Sequence, residues 1–221
     1  MAGSTVFVVL DESASVACSG GNDPLSRRHA ETALAIRHVA VACRCRRDRV
    51  ALVPFDKGSA GHVAPQALTG SGIRQLNRGL RLLANNGGIS SNLAPALDHV
   101  EALAAHADSE AAVVIFSDFL LTEQDPDAVL SRLRTFPGYV HAVVLGAQPP
   151  PVLITDPNVT ITRLTPSSPP GSAAQAVFDG LTRYRTRRTS DSGGGARTIR
   201  NPLQRRRTHR MANLIAMRWS S

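Results

Sequence analysis

The chain has 221 residues, 43% of them hydrophobic but only 4% aromatic, so Val, Leu, Ile and Ala must build its core. Its formal charge of +8 is unevenly placed: Thr182–Ser221 holds eleven Arg against one Asp, while the other 181 residues carry 14 basic and 16 acidic groups. A near-neutral body with a basic tail excludes a uniformly basic nucleic-acid-binding domain, and no run approaches the roughly 20 apolar residues that span a bilayer.

The first apolar run, Val6–Leu10, is a short strand of the kind covered on both faces. It is too short for a signal-peptide core and lacks a basic leader. A polar stretch from Asp11 to Leu25 follows, and then a helical pattern through Ala33, Ile36, Val39 and Ala40. Arg44–Arg49 reads as a basic turn and Val50–Phe55 as a second strand, with Pro54 putting its end near an edge or bulge. Residues 62–68 suggest a further short strand. Apolar residues at 73, 76, 80 and 83 form a helical stripe.

Gly87-Gly88 punctuates, a helix is expected from Leu93 to Ala107, and Ala112–Phe116 is a core strand. A helix over 126–135, a strand at Tyr139–Leu145, a proline loop at Pro149–Pro151, a strand at Val159–Leu164 and a helix at Ala173–Tyr184 complete the body. Strands alternating with helices predict an α/β, Rossmann-like open sheet, mostly parallel, with helices on both faces. The domain is expected over 1–185, followed by a disordered Arg-rich tail over 186–221.

Open α/β sheets bind ligands at the carboxyl ends of their strands, near the point where strand order reverses. Three polar segments fall at such places: Asp11-Glu12-Ser13-Ala14-Ser15, Gly87-Gly88-Ile89-Ser90-Ser91-Asn92-Leu93, and Ser117-Asp118-Phe119. Together they offer two carboxylates and several hydroxyls, an all-oxygen set suited to a hard cation such as Mg²⁺. Taken singly, each Ser, Asp or Asn is equally at home as a helix cap or turn residue.

The order of these segments resembles the metal-ion-dependent adhesion site of von Willebrand factor A (VWA) domains. Asp11, Ser13 and Ser15 match its Asp-x-Ser-x-Ser motif; Ser91-Asn92-Leu93 matches its second segment, with Ser91 where Thr is usual; Asp118 matches the Asp after its central strand. Arg47–Phe55 also looks like the family's second strand. The likeness covers roughly residues 5–184, and Phe119 departs from it where Gly is common. Glu12 and Ala14 read as free positions of the motif.

The resemblance implies that Asp11, Ser13, Ser15, Ser91 and Asp118 are ligands of Mg²⁺ or Mn²⁺ and that one coordination position faces outward. A partner protein with an exposed Asp or Glu would bind there, making the chain an adaptor or recruitment module and not an enzyme. The phrase Ser117-Asp118-Phe119 is nearest to bacterial intracellular VWA proteins that accompany MoxR-type AAA+ ATPases, which makes such an ATPase system a partner to expect. Three cysteines, two of them as Cys43-x-Cys45, fit a reducing cytoplasm better than a disulfide framework.

The remaining signals are plainer. His38 with Cys43 and Cys45 matches no zinc spacing, and the seven histidines are expected in solvated or core positions. No Gly-x-Ser-x-Gly elbow supports a serine hydrolase, and the glycine pairs lack a P-loop lysine. The tail is expected to be a solvated extension. The alternative function is a nucleic-acid-associated protein that binds through this tail, with the body as scaffold.

Overall fold

A computed structural model of the chain describes residues 3–23, 27–42, 47–56, 58–85, 90–106 and 110–179. The elements are β1 (Ser4–Leu10), α1 (Ala14–Ala17), α2 (Arg27–Ala42), β2 (Arg49–Pro54), β3 (Val63–Ala67), α3 (Gly70–Asn85), α4 (Ala94–Ala105), β4 (Glu110–Ser117), α5 (Pro126–Thr135), β5 (Tyr139–Leu145), α6 (Pro151–Ile154), β6 (Val159–Leu164) and α7 (172–179). The basic tail, Gly87–Ile89, Cys43 and Cys45 lie outside the described residues.

Six strands form one sheet in the order β3-β2-β1-β4-β5-β6, all parallel except β3, which runs antiparallel to β2. Apolar runs such as VFVVL and AVVIF produce this arrangement, because a parallel strand between two helical layers must be apolar on both sides. In β1, Val6, Val8 and Leu10 face one core with residues of α2, α3 and α7. Phe7 and Val9 face the other, with residues of α4, α5 and α6. Every residue of β1 is buried. Each large apolar side chain so enclosed stabilises the fold by roughly 1.5–3 kcal/mol.

Local signals set the helix ends. Asp125 caps α5 by accepting the Ala128 N–H at 2.9 Å, with Pro126 in the first turn and Arg132 and Arg134 in the last. Gly79 lets α3 lie close on the sheet edge, since a Cβ there would stand 2.4 Å from Val63 Cγ2.

Three sequence expectations are corrected and one, at Pro54, is met. The polar segment after β1 contains a helical turn, α1. Pro151 opens the short helix α6 within the expected proline loop, as suits a residue whose missing N–H costs nothing in a first turn. Pro54 ends β2 beyond its last pairing with β3, at Leu52, and just past the register shift between Val50 and Leu52, so the proline stands at a bulged, one-sided end of the strand as expected. Glu12 is not a free position: it is buried in an ion pair described below.

The sheet order reverses direction between β1 and β4. Chain crossings run outward on both sides from this pair, so their carboxyl ends open a crevice at the switch point. Leu10 is in register with Phe116, which puts Asp11 and Ser117 side by side just beyond.

Candidate metal centre

The Asp11 N–H continues the ladder by donating to the Phe116 carbonyl at 2.9 Å, so the chain leaves β1 with its direction fixed. Asp11 is buried, and both carboxylate oxygens are engaged: Oδ1 accepts the Ser13 N–H at 2.9 Å, and Oδ2 accepts the Ser117 hydroxyl at 2.6 Å. Burial raises the Asp11 carboxyl above the usual carboxylate range and the nearby Asp118 charge adds to this, while the bonds from Ser117 and Ser13 oppose it.

Ser13 Oγ and Ser15 Oγ stand 3.1 Å apart on the turn that opens α1. Asp118, also buried, accepts the Leu120 N–H on Oδ1 at 3.0 Å and the Asn22 side-chain amide on Oδ2 at 3.1 Å. Phe119 follows in the left-handed region, with φ +58°, a costly conformation for a bulky residue. Two things hold it there: its buried ring, and its N–H bonded to Ser117 Oγ at 2.8 Å.

Ser91 is the outlying member of the set. Its carbonyl accepts the Thr122 N–H at 3.4 Å, which brings the loop before α4 against the loop after β4. Thr122 Oγ1 also donates to Asn92 Oδ1 at 2.7 Å, and Glu123 Oε1 accepts the Leu93 N–H and, at 3.0 Å, the Ala94 N–H. The structure therefore joins Asp11, Ser13, Ser15 and Asp118 at one edge. Ser91 is tied in through its backbone, and among the described residues no hydrogen bond links its hydroxyl to the other four.

Three groups escape the sequence reading. Asn22 reaches Asp118 across 96 positions, from a stretch that resembles an insertion. Thr122 and Glu123 clamp the Ser91 segment, with no motif to announce them. The third is Arg28 behind the loop, buried to 1% exposure. It donates to Glu12 Oε2 at 2.7 Å, to Asp23 Oδ2 at 2.8 Å and to the Asp11 carbonyl at 3.2 Å. Glu12 also meets His29 Nε2 at 2.7 Å. Because Glu12 and Asp23 balance the guanidinium, Asp11 and Asp118 are left without a basic side-chain partner among their hydrogen bonds.

The oxygens suit a small hard cation. Two ligands of an octahedral ion held at about 2.1 Å, at right angles, stand about 3 Å apart, and the Ser13–Ser15 separation of 3.1 Å meets that requirement. Burial and, to a smaller degree, the Asp118 charge raise the cost of ionising Asp11, which a cation held at this edge would relieve. Among the described residues no three His, Cys, Asp or Glu side chains gather, so any site here depends on hydroxyls and water. His38 packs edge-on against Phe178 at 5.7 Å, and the zinc reading gains nothing from it.

No family model matches the chain, and no curated protein matches it. Solved structures do. A von Willebrand factor type A protein from Catenulispora acidiphila aligns with a TM-score of 0.56 at 14% identity, over 81% of this chain and 43% of that one. The pilus adhesin SpaC from Lactobacillus rhamnosus GG gives 0.56 at 12%, over 86% of this chain and 30% of that one. Manganese-loaded TRAP from Plasmodium vivax gives 0.51 at 11%, over 81% and 73%. This chain thus spans less than half of the first two proteins. Such identities speak for the fold alone, and the fold is that of a von Willebrand factor A domain.

Proposed function

We propose that this chain is a metal-dependent protein-interaction module, in which Asp11, Ser13, Ser15, Ser91 and Asp118 hold Mg²⁺ or Mn²⁺ and a partner's Asp or Glu completes the site. The observation that carries the reading is the meeting of Asp11, Ser13, Ser15 and Asp118 at the carboxyl ends of β1 and β4, with hydroxyls at a ligand's spacing. Ser13, Ser15 and Ser91 would contribute hydroxyls, while Asp11 and Asp118, whose oxygens already accept hydrogen bonds, would act directly or through water.

When bound, the ion supplies positive charge that two carboxylates do not fully screen, so an incoming carboxylate gains a strong charge interaction. Leu120, 60% exposed immediately after Asp118 and Phe119, gives the partner an apolar contact beside that charge. A manganese-loaded protein with this fold supports the choice of ion. We assign the site a binding role.

The likeness of Ser117-Asp118-Phe119 to bacterial VWA proteins that accompany MoxR-type ATPases makes an AAA+ ATPase system the first partner to test. The experiment is a pulldown with Mg²⁺ and with chelator, using Asp11→Ala as control. Recovery that depends on both the ion and Asp11 supports the reading; recovery indifferent to both overturns it.

A further inference from the structure

We propose a second, chemically different metal site in this chain: His62 and His99 form a two-imidazole clasp for a divalent transition-metal ion of the Cu²⁺ or Ni²⁺ type. His62 lies just before β3 and His99 on α4, 37 positions apart, yet their Nε2 atoms face each other at 2.8 Å. The rings are 4.7 Å apart between centroids and inclined at 66°. They border a cavity of about 140 Å³ with Val53, Pro54, Pro95 and Ala96, so there is room for an ion and its remaining ligands.

A hydrogen bond between two Nε2 atoms requires that one ring carry the proton and the other a lone pair. One nitrogen is therefore a ready ligand. The other becomes one when its proton moves to Nδ1, a change of tautomer that releases no net proton. Burial and the neighbouring ring lower the His62 pKa, which keeps that ring neutral and available near pH 7.

The separation also selects the ion. Nitrogens held at about 2.0–2.1 Å stand about 2.9 Å apart at a right angle and about 3.3 Å apart at a tetrahedral angle. The observed 2.8 Å is nearer the right angle, as in square or octahedral coordination, and imidazole ligands rank Cu²⁺ first and Ni²⁺ next among the divalent ions with that preference. Among the described residues no third His, Cys, Asp or Glu joins the pair. Water or an outside donor would fill the other positions. Mg²⁺, which prefers oxygen, would not compete here.

The test uses the full chain, cysteines alkylated, in excess Mg²⁺, titrated with Cu²⁺ and with Ni²⁺ by calorimetry, and with Cu²⁺ by electron paramagnetic resonance. One equivalent should bind, with a two-nitrogen signature for Cu²⁺. His62→Gln and His99→Gln should each weaken it at least tenfold, and the double variant should be no worse than the weaker single one, because both break one shared chelate. A loss below tenfold in either folded variant would overturn the proposal. If a variant unfolds, the wild-type proton spectrum decides: sub-stoichiometric Cu²⁺ should broaden the His62 and His99 ring resonances first, and broadening that begins at other histidines refutes the site.

Discussion

Ser117→Ala is the perturbation that most exposes how the metal edge is built. The side chain is fully buried, donates to Asp11 Oδ2 at 2.6 Å and accepts from the Phe119 N–H at 2.8 Å. Its loss removes a hydrogen bond to a buried carboxylate and strands a buried N–H. Bonds to charged groups contribute about 1.5–3 kcal/mol and an unsatisfied donor costs about 1–3 kcal/mol, so with some relaxation the expected loss is roughly 2–4 kcal/mol. At this chain length that is a fall of about 5–15 °C in the unfolding midpoint. Phe119, freed of its anchor, would leave the left-handed region and carry the Leu120 N–H away from Asp118, so Mn²⁺ affinity should fall as well. Thermal unfolding by circular dichroism and a Mn²⁺ titration measure the two effects. A midpoint within about 3 °C of wild type, or lost stability with unchanged Mn²⁺ affinity, would refute this account of the edge.

Three further expectations follow from buried or crowded groups. Glu31 is buried and accepts the N–H groups of Gly171, Ala173 and Ala174 at 2.9, 2.8 and 3.1 Å, so Glu31→Ala should cost about 3–5 kcal/mol in urea unfolding and Glu31→Gln distinctly less. Gly146 has φ +68°, and a Cβ there would meet Asn22 Oδ1 at 2.0 Å, so Gly146→Ala should cost about 1–3 kcal/mol and weaken Mn²⁺ binding by displacing Asn22 from Asp118. Adding Asn22→Ala should reduce that penalty, and strict additivity would argue against the clash. His62 has a lowered pKa from burial and from His99, so the unfolded chain takes up its proton first; stability should fall as pH drops below about 6.5, and His62→Gln should flatten the slope.

The sheet was legible because its strands are apolar on both faces; VFVVL and VVIF admit few other placements. The order of Asp11, Ser13, Ser15 and Asp118 was legible because each follows a strand that the pattern locates. Contacts that depend on distant chain were not. Nothing near Asn22 signals Asp118, nothing near Glu123 signals the α4 terminus, and Glu12 reads as a spacer until Arg28 and His29 arrive from α2. The facing of His62 and His99 is likewise a product of how α4 packs beside the end of β2, which no local spacing encodes.

The most direct test of the central claim is Mn²⁺ binding followed by water-proton relaxation, with a short acidic peptide added afterwards. One Mn²⁺ per chain should bind and retain exchangeable water. Ser13→Ala and Asp118→Ala should remove that site while leaving the far-ultraviolet dichroism nearly unchanged. The Asp-containing peptide should lower the relaxation by displacing water, and its Asn counterpart should not. Mn²⁺ binding that survives both substitutions, or displacement equally strong with the Asn peptide, would contradict the account.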